Sequence, residues 1–501
     1  MGYDLKYKYL ADSNAYQVVG YIGKPIDVTI NEFHDGKRII SIGQDAFANC
    51  SSLETISISE GVEIICMSAF ENCLSLQTVD LPSTLKRIEW RAFHTCRSLN
   101  CVDFSDGILE IEESAFTDCI SLTSIYLPKS IKKIDLFAFE GCSSLEAIRI
   151  DPNNELYSSI DGLLCDKTGK TILYCPYGKS GIVDIPEGVT TIADDAFSNR
   201  LNIICIMIPD SISVLGKNAF YGCSNLEEIT LPGNSIYGSD GKPFDCCSKL
   251  TEIHFTNATE CISALTLKCF SRCYMMDTFY ISPNVSSIDF DGIASFPSFN
   301  KYVVDPRNDY FSVFNGALFD KKRTTLLSVP RKRETFEVPD GTAVIANSAF
   351  ACCHRLKEIY VPHSVKEIQF WSFSGTKSLQ KIIVSNDNED YASKDGILFN
   401  KNMDKILWWQ FNNDTIRIPK GTVVLSSHLF DECTNTLTVY LPNSIKTIEK
   451  NCFKRYSSIK YIYYDGDSKD FKQIKCGQNW YQCRVTKIIC KDKILPRSEL
   501  R

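Results

Sequence analysis

Hydrophobic and polar positions repeat along most of this chain with a period of 23 residues. The segment S-I-G-Q-D-A-F-A-N-C-S-S-L (41–53) is the first complete example of the pattern. The repeated positions are phenylalanine at Phe47, Phe70, Phe93, Phe116 and Phe139, cysteine at Cys50, Cys73, Cys96, Cys119 and Cys142, and leucine at Leu53, Leu76, Leu99, Leu122 and Leu145. Self-similarity at one fixed period of this length predicts a solenoid, in which each coil packs on its neighbours.

Each repeat contains two extended segments joined by a short connection. The first extended segment ends at Ile42, Ile65, Ile88, Ile111 or Ile134. The second follows the pattern Leu-x-x-Ile-x-Leu and spans 53–58, 76–81, 99–104, 122–127 or 145–150. The connection Ala-Phe-x-x-Cys is too short for a regular helix, so it predicts a tight turn or a single helical turn.

Three inserts interrupt the repeat, at 154–174, 308–328 and 388–408. Each contains a turn dipeptide (Asp161-Gly162, Asn315-Gly316 or Asp395-Gly396) and two short apolar stretches around a second polar turn, which together predict a β-hairpin. The pattern is most degenerate between 233 and 298, where it slips at Phe244 and again near Phe296. We expect irregular turns there and no domain break.

The two ends of the chain lack the repeat and predict caps. Alternating residues at 16–22 and 26–30, separated by Gly23 to Pro25, predict an N-terminal hairpin that covers the first coil. The segments 461–466 and 471–474 predict a closing C-terminal element, followed by a frayed tail from Lys491. The prediction is one continuous solenoid that divides into 1–38 (cap), 39–150 (repeats), 151–190 (insert), 191–304 (repeats, degenerate from about 233), 305–344 (insert), 345–384 (repeats), 385–424 (insert), 425–464 (repeats) and 465–501 (cap and tail).

The combination of strand, Ala-Phe-x-x-Cys turn and leucine strand resembles the BspA-like leucine-rich repeats. The segment 111–128, I-E-E-S-A-F-T-D-C-I-S-L-T-S-I-Y-L-P, illustrates the resemblance, which extends over almost the whole chain. It implies a mostly β fold: an elongated, right-handed leucine-rich-repeat solenoid of short strands with β-hairpin inserts and caps at both ends. It also implies an adhesion-type protein at the cell surface or secreted.

Composition narrows the function classes. The 501-residue chain has a formal net charge of −7, which argues against nucleic acid or an anionic membrane as partner. No apolar run reaches the length of a membrane span, and the first ten residues carry charges where a signal peptide has its apolar core. These features favour a cytoplasmic location, whereas the resemblance implies export, and both readings stay open.

The 23 cysteines permit two interpretations. Their odd number and their recurrence at one position of the repeat favour a column of small, buried, reduced thiols over a set of disulfides. Cys476, Cys483 and Cys490, spaced by seven, are interpreted as core positions of the C-terminal cap rather than as metal ligands.

Candidate catalytic and metal-binding motifs are weak. Gly169-Lys170-Thr171 echoes a phosphate-binding loop, but the preceding glycine and the following helix are missing, so a hairpin turn is favoured. The six histidines form no zinc pattern. Acidic turns at 151–155, 305–309 and 386–390 could bind calcium, but their residue types are those of tight turns. We predict neither catalytic residues nor a cofactor.

The remaining candidate is the surface formed by the residues beside the central Ile of Leu-x-x-Ile-x-Leu, which we call the sheet face. These side chains point away from the core because successive strand residues alternate between the two faces. Exposed aromatics there favour contact with a protein or a carbohydrate, although tyrosine also suits a half-wet strand. The predicted ligand-binding residues are Tyr126, Arg149, His254, Tyr360, Tyr440, Tyr461, Tyr463 and, from the third insert, Trp408.

The sequence therefore predicts a non-catalytic binding or adhesion scaffold that recognises a protein or glycan through its sheet face. A structural protein that self-associates is the alternative. An enzyme with a site in the irregular middle or the inserts is a third hypothesis.

Overall fold

The computed structural model describes residues 2–231, 236–237, 241–255, 265–283, 285–290, 296–410, 414–431, 433, 435–453, 458–480 and 485–496. The fold is a solenoid of short strands, mostly β with very little helix, as the repeat predicts. The chain divides into two compact units, residues 1–296 and 297–501, and the division falls at the end of the degenerate segment. The predicted single continuous solenoid and its internal boundaries stay predictions.

In the first unit, the Leu-x-x-Ile-x-Leu segments form parallel strands, which we call the leucine strands. Their bounds are Asp27–Ile30, Thr55–Ile58, Thr78–Asp80, Cys101–Val102, Ser124–Leu127, Ala147–Ile150, Gly181–Asp184, Ile203–Met207, Glu228–Leu231, Glu252–Phe255 and Thr278–Ile281. The remaining strands precede the turns and form the turn-side sheets. They are Tyr3–Leu10, Ala15–Gly23, Phe33–His34, Lys37–Ile42, Ile64–Ile65, Arg87–Ile88, Glu110–Ile111, Lys133–Ile134, Tyr157–Ile160, Leu163–Asp166, Thr171–Tyr174, Thr191–Ile192, Val214–Leu215, Ile236–Tyr237, Leu265–Thr266 and Ile288–Asp289.

The second unit repeats this division. Its leucine strands, including those of the C-terminal cap, are Lys301–Val304, Thr335–Glu337, Glu358–Val361, Lys381–Val384, Thr415–Arg417, Thr438–Leu441, Tyr461–Tyr464, Lys487–Ile489 and Ile494–Pro496. Its turn-side strands are Phe311–Phe314, Ala317–Asp320, Thr325–Ser328, Val344–Ile345, Glu367–Ile368, Tyr391–Lys394, Ile397–Asn400, Lys405–Trp408, Val424–Leu425, Thr447–Ile448 and Lys475–Cys476. The helical segments are a 3-10 turn at Leu267–Phe270 in the first unit and an α-helix at Ser468–Phe471 in the second.

The phenylalanine of each turn lies directly over that of the next coil. Ring centroids of Phe47 and Phe70 are 5.2 Å apart, and those of Phe70 and Phe93 are 5.0 Å apart, with nearly parallel planes. The turns also pair through their backbones, since the Phe47 N–H donates to the Ala69 carbonyl at 2.7 Å. The column continues through Phe244, 5.2 Å from Phe220. The slip predicted at Phe244 is therefore wrong for this column, because the extra residues are accommodated elsewhere in the coil.

The repeated cysteine thiols are buried, as predicted, and each donates a hydrogen bond to the coil before it. The Sγ atoms of Cys96 and Cys119 lie 3.1 and 3.2 Å from the carbonyl oxygens of Phe70 and Phe93, respectively. Burial raises the pKa of the Cys96 thiol to about 12. Cys490 is buried in the C-terminal cap, but Cys476 is exposed, which contradicts its interpretation as a core position, and Cys483 lies outside the described residues.

Each insert is a three-stranded antiparallel meander that includes the predicted hairpin. In the first, Leu163–Asp166 pairs with Tyr157–Ile160 and with Thr171–Tyr174. Gly169, with a φ of 68°, lies in the turn before the last strand, so the hairpin interpretation of Gly169-Lys170-Thr171 is confirmed.

A buried asparagine begins each insert, at Asn154, Asn308 and Asn388. The Asn388 side-chain amide donates to the carbonyls of Pro362 and Val365, both at 2.9 Å. Its Oδ1 accepts from the N–H groups of Asp390 and Tyr391. The asparagine therefore joins the insert to the coil before it. Among the described residues, no group of three or more side chains is arranged to hold a metal ion.

The predicted N-terminal hairpin is wrong. Ala15–Gly23 pairs antiparallel with Tyr3–Leu10, whereas Asp27–Ile30 pairs with Thr55–Ile58 and is already a leucine strand. The reason is that Val28 and Ile30 are needed to continue the core beneath Ile56 and Ile58, all four of which are buried. The cap places Tyr21 against Phe47, with ring centroids 5.5 Å apart, so a tyrosine ends the phenylalanine column.

The frayed C-terminal tail is also wrong as far as Pro496. Ile494–Pro496 pairs antiparallel with Lys487–Ile489, because Leu495 is fully buried against this last leucine strand. Trp480 is buried with its ring edge-on to Phe453, at a centroid distance of 6.1 Å, and ends the column in the second unit.

Candidate functional site

Aromatic and charged side chains gather at three places on the sheet face. They do so because the leucine strands pair in parallel with a fixed register, which places equivalent residues of successive coils side by side. Tyr126 is paired with Arg149, and Tyr440 with Tyr463. The central residues Ile125 and Val439 point inward and are buried.

In the first unit, Tyr126 and Arg149 lie in one shallow cleft. The Tyr126 hydroxyl donates to the Asp151 carboxylate at 2.9 Å, which raises the pKa of the tyrosine and contributes to lowering that of the aspartate. Lys179, on the other side of the cleft, forms an ion pair with Asp161 at 2.6 Å. The acidic turn at 151–155 thus contributes to this cleft through Asp151.

His254, also in the first unit, is stacked on Tyr280 with ring centroids 4.5 Å apart. Its Nε2 lies 3.4 Å from Glu228 and 3.2 Å from Glu252. The pair of carboxylates holds the imidazole across the strands. Sequence analysis did not identify Tyr280, although it occupies the same position of its strand as His254.

In the second unit, a row of stacked side chains runs across three leucine strands. The Tyr440 and Tyr463 rings are stacked at 4.7 Å with an angle of 14° between their planes. The Arg417 guanidinium lies over the other face of Tyr440, 3.9 Å from its centroid. We call Arg417, Tyr440 and Tyr463 the stacked triad. Tyr461 is exposed on the same strand as Tyr463.

Charged residues surround the stacked triad in a cleft of about 620 Å³ that also contains Lys420 and Lys491. Lys491 forms an ion pair with Asp465 at 2.9 Å, which lowers the pKa of the aspartate and raises that of the lysine. Arg417 and Lys420 therefore give this surface a basic character in an otherwise acidic chain. Arg417 could have been found from sequence, since Thr415–Arg417 follows the leucine-strand pattern after the third insert.

Two predicted residues lie apart from the stacked triad. Tyr360 is exposed on Glu358–Val361, where its hydroxyl donates to Glu358 at 3.0 Å and its pKa is raised by that bond. Trp408 is not on the sheet face, which corrects its sequence assignment. Its strand, Lys405–Trp408, pairs with Ile397–Asn400 and Val424–Leu425 in a turn-side sheet, because the meander of the insert extends that sheet.

Comparison with known proteins identifies the repeat. The family model described as "BspA type Leucine rich repeat region" matches residues 39–160, 176–299, 331–410 and 390–495. No curated protein matches the chain. Among the described residues, the structure contains no helix that is both long and apolar enough to cross a membrane.

Several solved structures are similar to this chain. A leucine-rich repeat protein of T. pallidum is 25% identical, over 44% of this chain and 87% of its own, with a TM-score of 0.32. A leucine-rich repeat protein of Bacteroides ovatus is 20% identical, over 92% of this chain and 98% of its own, with a TM-score of 0.43. A leucine rich cell surface protein of Faecalibacterium prausnitzii is 19% identical, over 94% and 96%, with a TM-score of 0.29.

Proposed function

The chain belongs to the BspA-type leucine-rich repeat family, and on that basis we propose that it is a non-catalytic scaffold that binds a protein ligand on its sheet face. The observation that supports this proposal is the stacked triad of Arg417, Tyr440 and Tyr463. Tyrosine and arginine are the residues most enriched at binding hot spots, since both bring a large contact area at a low entropic cost. Stacking fixes their rotamers before a ligand arrives, which reduces that cost further.

The charge of the surface favours an acidic region of the ligand. Arg417 and Lys420 lie beside the tyrosines, and only Lys491 of the three neighbouring cations has a printed carboxylate partner on this face, Asp465. A basic patch attracts an acidic partner and raises its association rate, more at low than at high ionic strength. We therefore propose a protein ligand with an acidic patch, and treat Tyr126, Arg149, His254, Tyr360 and Tyr461 as further contact candidates on the sheet face.

The test compares retention of proteins from an extract by the immobilised full chain and by two variants. In Tyr440→Ala/Tyr463→Ala the stack is removed without touching the core. In the control, Tyr310→Ala, an equally exposed tyrosine of the same unit is removed from outside the stacked triad. We expect one retained protein to bind the double variant about thirtyfold more weakly, as for loss of a hot spot of about 2 kcal/mol, and to bind the control unchanged.

Two outcomes would contradict the proposal. One is a protein ligand that the double variant retains as well as the unaltered chain does. The other is retention that persists after the extract has been digested with protease, which would identify a glycan on this surface instead.

A further inference from the structure

Three of the five tryptophans in the chain line one cavity of about 550 Å³ in the second unit, away from the sheet face. They are Trp371, in the turn after Glu367–Ile368, and Trp408 and Trp409, at the end of the third insert. This volume is within the range of small-molecule binding sites. A repeat position that recurs through the chain does not account for such a concentration of indole rings.

The cavity exists because the coil that carries the third insert is short. Lys405 pairs with Val424, 19 residues later, whereas Val424 pairs with Thr447, 23 residues later. The shorter coil returns from Trp408 to Thr415 without an Ala-Phe-x-x-Cys turn. The turn containing Phe373 therefore has no equivalent turn directly above it, and Trp408 lies beside Phe373 instead, at a centroid distance of 5.8 Å.

The first insert also shortens its coil, but there the space is filled. Arg200 takes the place of the repeated cysteine and is buried between Tyr174 and Tyr177, 4.7 and 4.0 Å from their ring centroids. Its Nε donates to the Cys175 carbonyl at 2.6 Å. An open cavity is therefore not a necessary consequence of an insert but a property of the residues at the third one.

The mouth of the cavity presents aromatic rings to solvent. Phe370 is 49% and Trp371 is 42% exposed. Their planes meet at 85° with centroids 5.3 Å apart, and both rings contact His428. Two perpendicular rings form a corner, whereas a site for a flat aromatic ligand needs a parallel slot that covers both faces of the ring.

The polar residues of the cavity form neutral pairs. Lys405 Nζ lies 2.5 Å from Glu449, whose second carboxylate oxygen accepts from the Ser427 N–H at 2.9 Å. His428 Nδ1 lies 2.8 Å from Asp431. These groups can accept and donate hydrogen bonds at their remaining positions, but paired charges give little net attraction for an ion. The lining therefore suits an uncharged ligand that carries several hydroxyl groups.

We propose that this cavity binds a neutral saccharide, with a pyranose face against Trp371 and Phe370 and its hydroxyls toward Glu449, Lys405 and His428. A pyranose combines a flat C–H face with hydroxyls around its edge, which matches an aromatic corner next to paired polar groups. The saccharide site is on the turn side of the second unit, so its existence does not depend on the protein ligand proposed for the stacked triad.

The test titrates the full chain with neutral oligosaccharides of four units, namely cello-, xylo-, malto-, manno- and N-acetylchito-tetraose. Tryptophan fluorescence and calorimetry are the readouts, since three of the five indoles report on this cavity. At least one sugar is expected to bind and shift the emission. Trp371→Asn is expected to weaken that binding about tenfold. Asparagine suits the positive φ of 64° at this position, and equivalent turns already contain it, so the variant is expected to fold.

Trp90→Ala is the matched control. Trp90 occupies in the first unit the turn position that Phe370 occupies here, and it is 37% exposed. Its removal is expected to leave sugar binding unchanged. The proposal is overturned if no sugar of the panel binds at millimolar concentration, if Trp371→Asn binds as tightly as the unaltered chain, or if Trp90→Ala weakens binding equally.

Discussion

The Cys73 thiol donates a hydrogen bond to the Phe47 carbonyl of the coil before it, with the Sγ and oxygen atoms 3.1 Å apart. The thiolate is the reactive form of cysteine, and burial raises the pKa of these thiols far above neutral pH. We expect a thiol reagent to label the exposed Cys101 in the native protein before it labels Cys73 or Cys96. Mass spectrometry of peptides after timed labelling measures the order, and equal labelling rates would disprove a buried column.

The same thiols predict a loss of stability in alkali. The pKa of Cys96 is about 12 in the folded protein, raised by burial from the ordinary 9.0, so this thiol contributes stability that is fully present below pH 9 and is lost between pH 9 and 12. Each pH unit above 9 costs about 1.4 kcal/mol per buried thiol. We expect steep unfolding in this window by circular dichroism. Cys96→Ala should reduce the slope of unfolding free energy against pH, and Cys101→Ala should leave it unchanged.

Asn388 is expected to be essential for docking the third insert. Asn388→Ala removes the donors to Pro362 and Val365 and the acceptor for two N–H groups, all in a buried place. Buried groups left without partners cost about 1–3 kcal/mol each, so we expect a loss of about 3 kcal/mol in denaturant unfolding. Asn386→Ala, at an exposed residue of the same turn, is the control, and a similar effect of both would argue against this role.

Arg200→Lys is expected to destabilise the first unit although it keeps the charge. A lysine cannot stack a planar group between Tyr174 and Tyr177 while it also donates to the Cys175 carbonyl. We expect a loss of about 2 kcal/mol, measured as the change in unfolding free energy. Arg97→Lys, at an exposed arginine that follows Cys96, should have no measurable effect, and neutral behaviour of Arg200→Lys would show that shape is unimportant there.

The regular coils were predictable because every position is repeated. A strand, a turn and a leucine strand of equal length can stack in only one register, so the columns of Phe47 and Cys50 follow from the spacing alone. The N-terminal cap was mispredicted although its signal was present. Tyr3, Leu5, Tyr7 and Tyr9 alternate with charged residues and mark a strand that the search for the repeat overlooked.

The candidate sites were predictable only in part. Tyr440 and Tyr463 fall on the sheet face by strand alternation, and Arg417 could have been added by extending the same rule past the third insert. The tryptophan cavity could not be located in this way, because it depends on which sheet receives Trp408 and on how the short coil returns to Thr415. Counting the 19 residues between Lys405 and Val424 gives the one sequence signal, a coil four residues short.

The equal pairing of Ile42, Ile65 and Ile88 also determines how such a chain can change in length during evolution. Excision of residues 66–88 would join Ile65 to Glu89 and bring Phe93 to the place of Phe70, with every neighbour of the same type restored. A shorter deletion in this region would shift each later ring and thiol away from its partner. Gain and loss of whole coils is therefore tolerable, and surfaces of different extent can arise without a new core.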